Sequence, residues 1–281
     1  MYSNKKLRVQ FSLITVVASV VILFVSCSAT TRNNLFLHSN LPVLNNAPIP
    51  PLEYEETDII DKTIKEINYE KGVKTKVLYG NSENLSPAIL VNGEAISERE
   101  IEVIKIEIES SNIIVVSEDR TTADGQDITV KKILRGTQNP TVILTHKIIT
   151  AVRNSVIQGE AVRQNLQPSQ AEISNFILQQ RTLAECDEDG MMAGYIAGLG
   201  MTEEAYYAEY KDIAYKTLQR SALYLSFIDS QAREIKVAAE KRGVDLVVVQ
   251  KEFYEKYVDE LVQKATIEVL SPEIISLFAA S

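Results

Sequence analysis

Apolar positions repeat at three- and four-residue intervals over most of this chain, so the pattern predicts a mainly α protein with one small β element. Ile60, Ile64 and Ile67 keep helical spacing within the acidic stretch Glu53 to Glu70, which predicts a short amphipathic helix; Val73 to Tyr79 fits either its continuation or a strand. Ile89, Leu90 and Val91 then run into Asn92 and Gly93, the residues best able to take positive φ in a tight hairpin, and Ala95 and Ile96 return. Ser97 and Glu100 form a capping box that starts a helix over Glu98 to Glu109. Glu118 to Gln126 lacks any period and reads as a surface loop. Beyond it Ile148, Ile149, Val152, Val156 and Ile157 mark one wide helical face, ended by Asn165 and Pro168. Ser169 and Glu172 repeat the capping box for a helix to about Arg181. A connection punctuated by glycines follows, and Thr202 caps a helix whose face is Tyr207, Tyr210, Ala214, Leu218, Ala222 and Leu225. The last predicted helix carries Phe253, Tyr257 and Leu261 beside Tyr254, Val258 and Val262. Ala265 to Leu270 is β-branched and is expected to pair as a strand with the first hairpin.

The N-terminus follows a different pattern. Lys5, Lys6 and Arg8 precede an uncharged apolar run from Phe11 to Val25, the layout of a secretory signal. The basic residues are expected to stay cytoplasmic while the remainder crosses. Leu23, Phe24, Val25, Ser26 and Cys27 resemble the lipobox of bacterial lipoproteins, although Leu is usual where Phe24 stands, three before the Cys. The resemblance implies cleavage and lipidation at Cys27. An uncleaved anchor is the other outcome, because the run approaches the roughly 20 residues that span a bilayer. Arg32 to Pro51 mixes Asn and Pro without an apolar face, as a flexible tether does, and about 20 such residues reach roughly 25 Å. The expected organisation is a signal or anchor over 1–27, a tether over 28–52, a lead-in over 53–87, a helical domain over 88–270 and a tail over 271–281.

Composition narrows the chemistry. At 45% hydrophobic and 24% charged residues the chain is that of a folded protein rather than a low-complexity one. Its net charge is −9, and removing the three basic residues of the signal takes it to −12, which disfavours nucleic acid as a partner. Two Cys and two His exclude a disulfide framework and a Cys/His zinc site. Asp187, Glu188, Asp189 and Gly190 suggest a calcium loop, but with Gly190 as sixth position the twelfth is Ile196 where a bidentate Glu is required; a solvated acidic turn is the better reading. His38 lies in the tether, and His146 has no carboxylate or Cys at ligand spacing. Cys186, without a partner once Cys27 is lipidated, reads as a half-buried small side chain. Neither a Gly-x-Ser-x-Gly elbow nor a phosphate-binding Gly loop occurs. No catalytic constellation, metal site or cofactor is expected.

Three segments in the helical part carry a family likeness. The run Val91, Asn92, Gly93, Glu94, Ala95, Ile96, Ser97 resembles the opening of the SurA N-terminal chaperone domain. Ala151 to Ile173 is similar to that family's apolar pairs, helix end and Ser-capped helix, and Gly198 to Glu203 looks like its turn into the next helix. The closing helix with Ala265, Thr266 and Ile267 also fits, so the resemblance covers about Ala88 to Leu270. Val116 to Thr129 looks like an insertion, and the parvulin prolyl isomerase domain of many SurA and PrsA relatives is missing, so no isomerase activity is implied. The resemblance implies an extracytoplasmic holdase, anchored through its N-terminus, that binds unfolded or newly exported polypeptides without ATP. A structural or adhesive envelope lipoprotein with one specific partner is the alternative. Met191, Met192, Tyr195, Met201, Tyr206, Tyr207 and Tyr210 form the candidate client surface: Met is flexible and polarizable, and Tyr joins apolar area to a polar tip. Ordinary helix packing accounts for the same residues.

Overall fold

The computed structural model describes residues 62–80, 86–111, 113–121, 126–135, 139–187 and 189–279. They form ten helices, one three-stranded antiparallel sheet and one separate two-stranded hairpin. The expected signal or anchor and the expected tether, with Cys27, His38 and Ile60, lie outside the described residues.

Helix α1 (Ile64–Gly80) settles the open reading of Val73 to Tyr79 as helix. Thr63 and Glu66 start it with a capping box of their own: the Thr63 N–H donates to Glu66 Oε2 at 2.8 Å and the Glu66 N–H donates to Thr63 Oγ1 at 3.2 Å. Gly72 and Thr75 are buried on this helix, whereas Tyr69, Val73 and Val77 face outward. Strands β1 (Pro87–Val91) and β2 (Glu94–Ser97) form the expected hairpin, turning through Asn92 at φ 52° and Gly93 at φ 87°. Strand β5 (Ile267–Val269) pairs antiparallel with β1, Val91 opposite Ile267, as the sequence predicts. Asn92 also locks that junction, its Oδ1 accepting from the Thr266 N–H at 2.8 Å.

Helix α2 (Glu98–Ser111) begins at the Ser97–Glu100 box. Of the loop expected over Glu118 to Gln126, Glu118 to Thr121 is instead strand, and 122–125 lie outside the described residues. β3 (Ile113–Thr121) and β4 (Asp127–Arg135) pair antiparallel from Ile113 opposite Arg135 to Thr121 opposite Asp127. Ile113 to Val116 is β-branched and favours strand, Ser117 to Thr121 is polar throughout, and Ile128 and Val130 alternate with polar residues on β4.

The remaining chain is helical except for β5. Helix α3 (Pro140–Arg163) has Pro140 in its first turn and Asn139 as cap, and Asn165 follows its end at φ 55°. Helix α4 (Gln170–Glu185) opens on the Ser169–Glu172 capping box and runs one turn past Arg181. The glycine-punctuated connection is in fact a helix, α5 (Met191–Leu199), with left-handed Gly190 and Gly200 at its ends. Thr202 caps α6 (Glu203–Glu209), and the chain bends at Tyr210 into α7 (Lys211–Ser230), so the single helix expected here is two. The inward face differs from the expected one: Leu225 is 55% exposed, while Gln219, Leu223 and Ile228 are buried. Helices α8 (Ala232–Arg242) and α9 (Leu246–Lys264) follow. The expected tail after Leu270 holds a helix, α10 (Pro272–Ala279), whose Ile274 and Phe278 enter the core.

The main core lies between the three-stranded sheet and α3, α7, α9 and α10. Ile89, Ile148, Leu223, Val258, Ile267 and Ile274 are all almost fully buried there. Two smaller clusters sit beside it, one of Ile228, Ile235, Ala239 and Val249, the other of Ile173, Phe176 and Ala214. Gln219 ties α7 to the end of α3, its Nε2 donating to the Leu166 carbonyl at 2.7 Å while its Oε1 accepts from Gln158.

Candidate functional site

Helix α5 is the keystone of the Met/Tyr region, and small residues decide where it can sit. A Cβ at Gly194 would strike the Lys65 carbonyl oxygen, one at Gly198 the Tyr69 carbonyl oxygen, and one at Gly72 the Tyr195 carbonyl oxygen. With no side chains at these three positions, the α1 and α5 backbones touch. Asp187 fixes the start of α5 by accepting from the Met192 N–H at 3.0 Å, so the acidic turn before it works as a helix cap.

The structure divides the seven candidate residues. Tyr195, Tyr206 and Tyr210 form a ring cluster: Tyr206 stacks on Tyr210 at 5.8 Å between ring centroids and meets Tyr195 edge-on at 6.2 Å, and Tyr207 joins the cluster to the groove described next, edge-on to Tyr206 at 5.2 Å and to Tyr210 at 6.1 Å. Burial pushes all three phenols above their ordinary pKa. Lys71 of α1 holds its ammonium 5.3 Å from the Tyr195 ring centroid, and burial lowers its pKa. Met191 is half exposed and lies outside the groove described next.

Met192, Met201 and Tyr207 converge on an open groove of about 320 Å³ between α4, α5 and α6. Ala184, Ala193, Ile196 and Ala197 complete its apolar wall; Arg181, Glu185 and Glu203 supply charge. Tyr207 is 2% exposed. The Arg181 guanidinium carbon lies 4.7 Å from the Tyr207 ring centroid, a cation–π contact. The Tyr207 hydroxyl and the Arg181 Nε are both buried without a hydrogen-bond partner among the described residues. Burial raises the Tyr207 pKa, and Glu203 adds to the effect while Arg181 opposes it.

Arg181, Glu185 and Glu203 are members of this groove that the sequence pattern did not single out. Arg181, Ala184 and Glu185 share one face of α4 by their spacing, as do Ala193 and Ala197 on α5, but no local signal tells which two faces meet. Among the described residues no three or more His, Cys, Asp or Glu side chains gather as metal ligands. His146 is half-buried on α3. Cys186 is exposed rather than half-buried, because it closes the C-terminus of α4 and points away from the core. Among the described residues no helix is long and apolar enough to cross a membrane. The chain matches no family model, no curated protein and no solved structure.

Proposed function

We propose that the chain is an extracytoplasmic holdase of the SurA N-terminal or PrsA type, anchored to the cell membrane through Cys27 or an N-terminal helix, and without a prolyl isomerase domain. It binds unfolded or newly exported polypeptides without ATP, covalent chemistry or a cofactor. The observation that carries this reading is the groove lined by Met192, Met201 and Tyr207, where unbranched, polarizable side chains stand over a small-residue wall with room for a client side chain. The sheet order β2-β1-β5, in which the strand after the closing helix returns beside the first hairpin, supports the family reading. Tyr195, Tyr206 and Tyr210 then act as the packed support of the groove, and the client surface is narrower than the full set of seven residues.

A specific apolar patch favours the alternative of a structural or adhesive envelope lipoprotein. Val244, Leu246, Val247 and Val248 at the α8–α9 turn are each more than a third exposed, as an interface for one partner would be. Light scattering by several unrelated unfolded test proteins, with the full-length chain in detergent micelles and no ATP, separates the two. The holdase suppresses aggregation of most of them at a few-fold excess. No suppression of any client at several-fold excess rejects the holdase in favour of the single-partner lipoprotein.

A further inference from the structure

The groove contains a cost that packing alone leaves unexplained. Buried polar groups in folded proteins nearly always have partners, yet the Tyr207 hydroxyl has none among the described residues. Tyr207 lines the groove together with Arg181, Glu185 and Glu203. Reaching the hydroxyl requires a side-chain rearrangement that the unbranched chains of Met192, Met201 and Arg181 allow. The charges select further. Two carboxylates stand against one guanidinium, so the charged lining of the groove is net negative and favours a cation. The protein's net charge of −9 acts in the same direction.

We infer that this groove takes polypeptide segments that pair an aliphatic side chain with an adjacent Lys or Arg, the aliphatic group entering the Met192, Ile196 and Met201 wall, the cation meeting Glu185 and Glu203, and a backbone carbonyl of the segment accepting from the Tyr207 hydroxyl. This rests on the holdase reading and names the client chemistry it selects. A hydroxyl orphaned in the free protein and satisfied in the complex has an unusual signature: its removal relieves the free protein while weakening the complex.

The test uses fluorescence anisotropy of short labelled peptides with a Gly-Ser-Asn background and Leu-Lys, Leu-Glu or Ser-Lys at the centre, bound to the full-length chain in micelles. Leu-Lys binds roughly tenfold tighter than Ser-Lys, from side-chain burial, and about three- to tenfold tighter than Leu-Glu, from reversing one charge beside two carboxylates. Tyr207→Phe weakens Leu-Lys binding roughly three- to tenfold while Tm stays level or rises. Glu203→Gln narrows the preference for Lys over Glu and keeps that for Leu over Ser. Equal binding of Leu-Lys and Leu-Glu by the wild type overturns the inference. So does a Tyr207→Phe protein that binds as the wild type does, or that loses affinity only in step with a fall in Tm. The aggregation assay above is run on the same preparations. Suppression without peptide discrimination rejects this inference and leaves the holdase standing, whereas peptide discrimination without suppression keeps the groove's selectivity and rejects the holdase.

Discussion

Arg153 reaches from α3 to α9, its Nη1 donating to Asp259 Oδ1 and its Nη2 to Glu255 Oε2, each at 2.6 Å, with all three side chains mostly buried. Burial holds the Glu255 carboxyl above its ordinary pKa in spite of the guanidinium, so little solvent screening remains to replace Arg153. Arg153→Ala leaves two carboxylates together without their cation and is expected to cost about 3–5 kcal/mol, read as a fall in the urea midpoint. A loss of only a few tenths of a kcal/mol would show that water reaches the pair. Glu160 has the opposite environment. It accepts from Arg163 Nε and Nη2, from Gln164 Nε2 and from the Tyr257 hydroxyl, and the Arg163 hydrogen bonds lead in lowering its pKa. A carboxyl whose folded pKa is depressed contributes stability that is present above its unfolded pKa, about 4.3, and lost as pH falls through the folded value. Glu160→Gln is therefore expected to flatten the decline of the urea midpoint below about pH 4.3. An unchanged acid slope would mean that other carboxylates dominate it. Short-range features of this kind are the most legible in sequence: the Ser97–Glu100 and Ser169–Glu172 boxes and the left-handed Asn165 stand where their spacing puts them. Arg153 was not legible, because its partners lie more than 100 positions away.

Elements in the helical half depend on what they pack against. Gly159 on α3 and Gly198 on α5 are both helical, but their surroundings differ. A Cβ at Gly159 meets nothing within 4 Å, whereas at Gly198 it lies 2.9 Å from Gly72 Cα and strikes the Tyr69 carbonyl. Gly159→Ala is thus expected to stabilise by about 0.5–1 kcal/mol through helix propensity and reduced unfolded-state entropy. Gly198→Ala is expected to destabilise by about 1–3 kcal/mol, because the α1 and α5 backbones must part. Thermal unfolding of the two variants checks the opposite signs; a stabilising Gly198→Ala would show that α1 moves away freely. The same packing explains why α5 reads as a connection: three glycines in Met191 to Gly200 carry turn signals, and two of them are there for close approach.

At the scale of the molecule, the N-terminal expectation stands apart from the fold. Mass spectrometry of the N-terminal peptide of the mature membrane-bound protein is expected to find Cys27 first and lipid-modified. An intact Met1 to Cys27 segment would establish an uncleaved anchor in its place. The sequence alone determined the mainly helical class, the first hairpin, the helix caps and the strand that returns to β1, since each is encoded within a few residues or by strong β-branching. The strand at Ser117 to Thr121 and the break at Tyr210 were decided by pairing and packing that no local period records, whereas α10 does carry a local pattern, Pro272 at its first position and Ile274, Leu277 and Phe278 at helical spacing. The groove belongs with the strand and the break. Met192, Met201 and Tyr207 could be picked out for their chemistry, but only the crossing of α4, α5 and α6 brings them to one groove, with Tyr207 also edge-on to Tyr206 and Tyr210, and sets Arg181, Glu185 and Glu203 beside them. That placement is tertiary because burial is a property of the neighbour as much as of the residue.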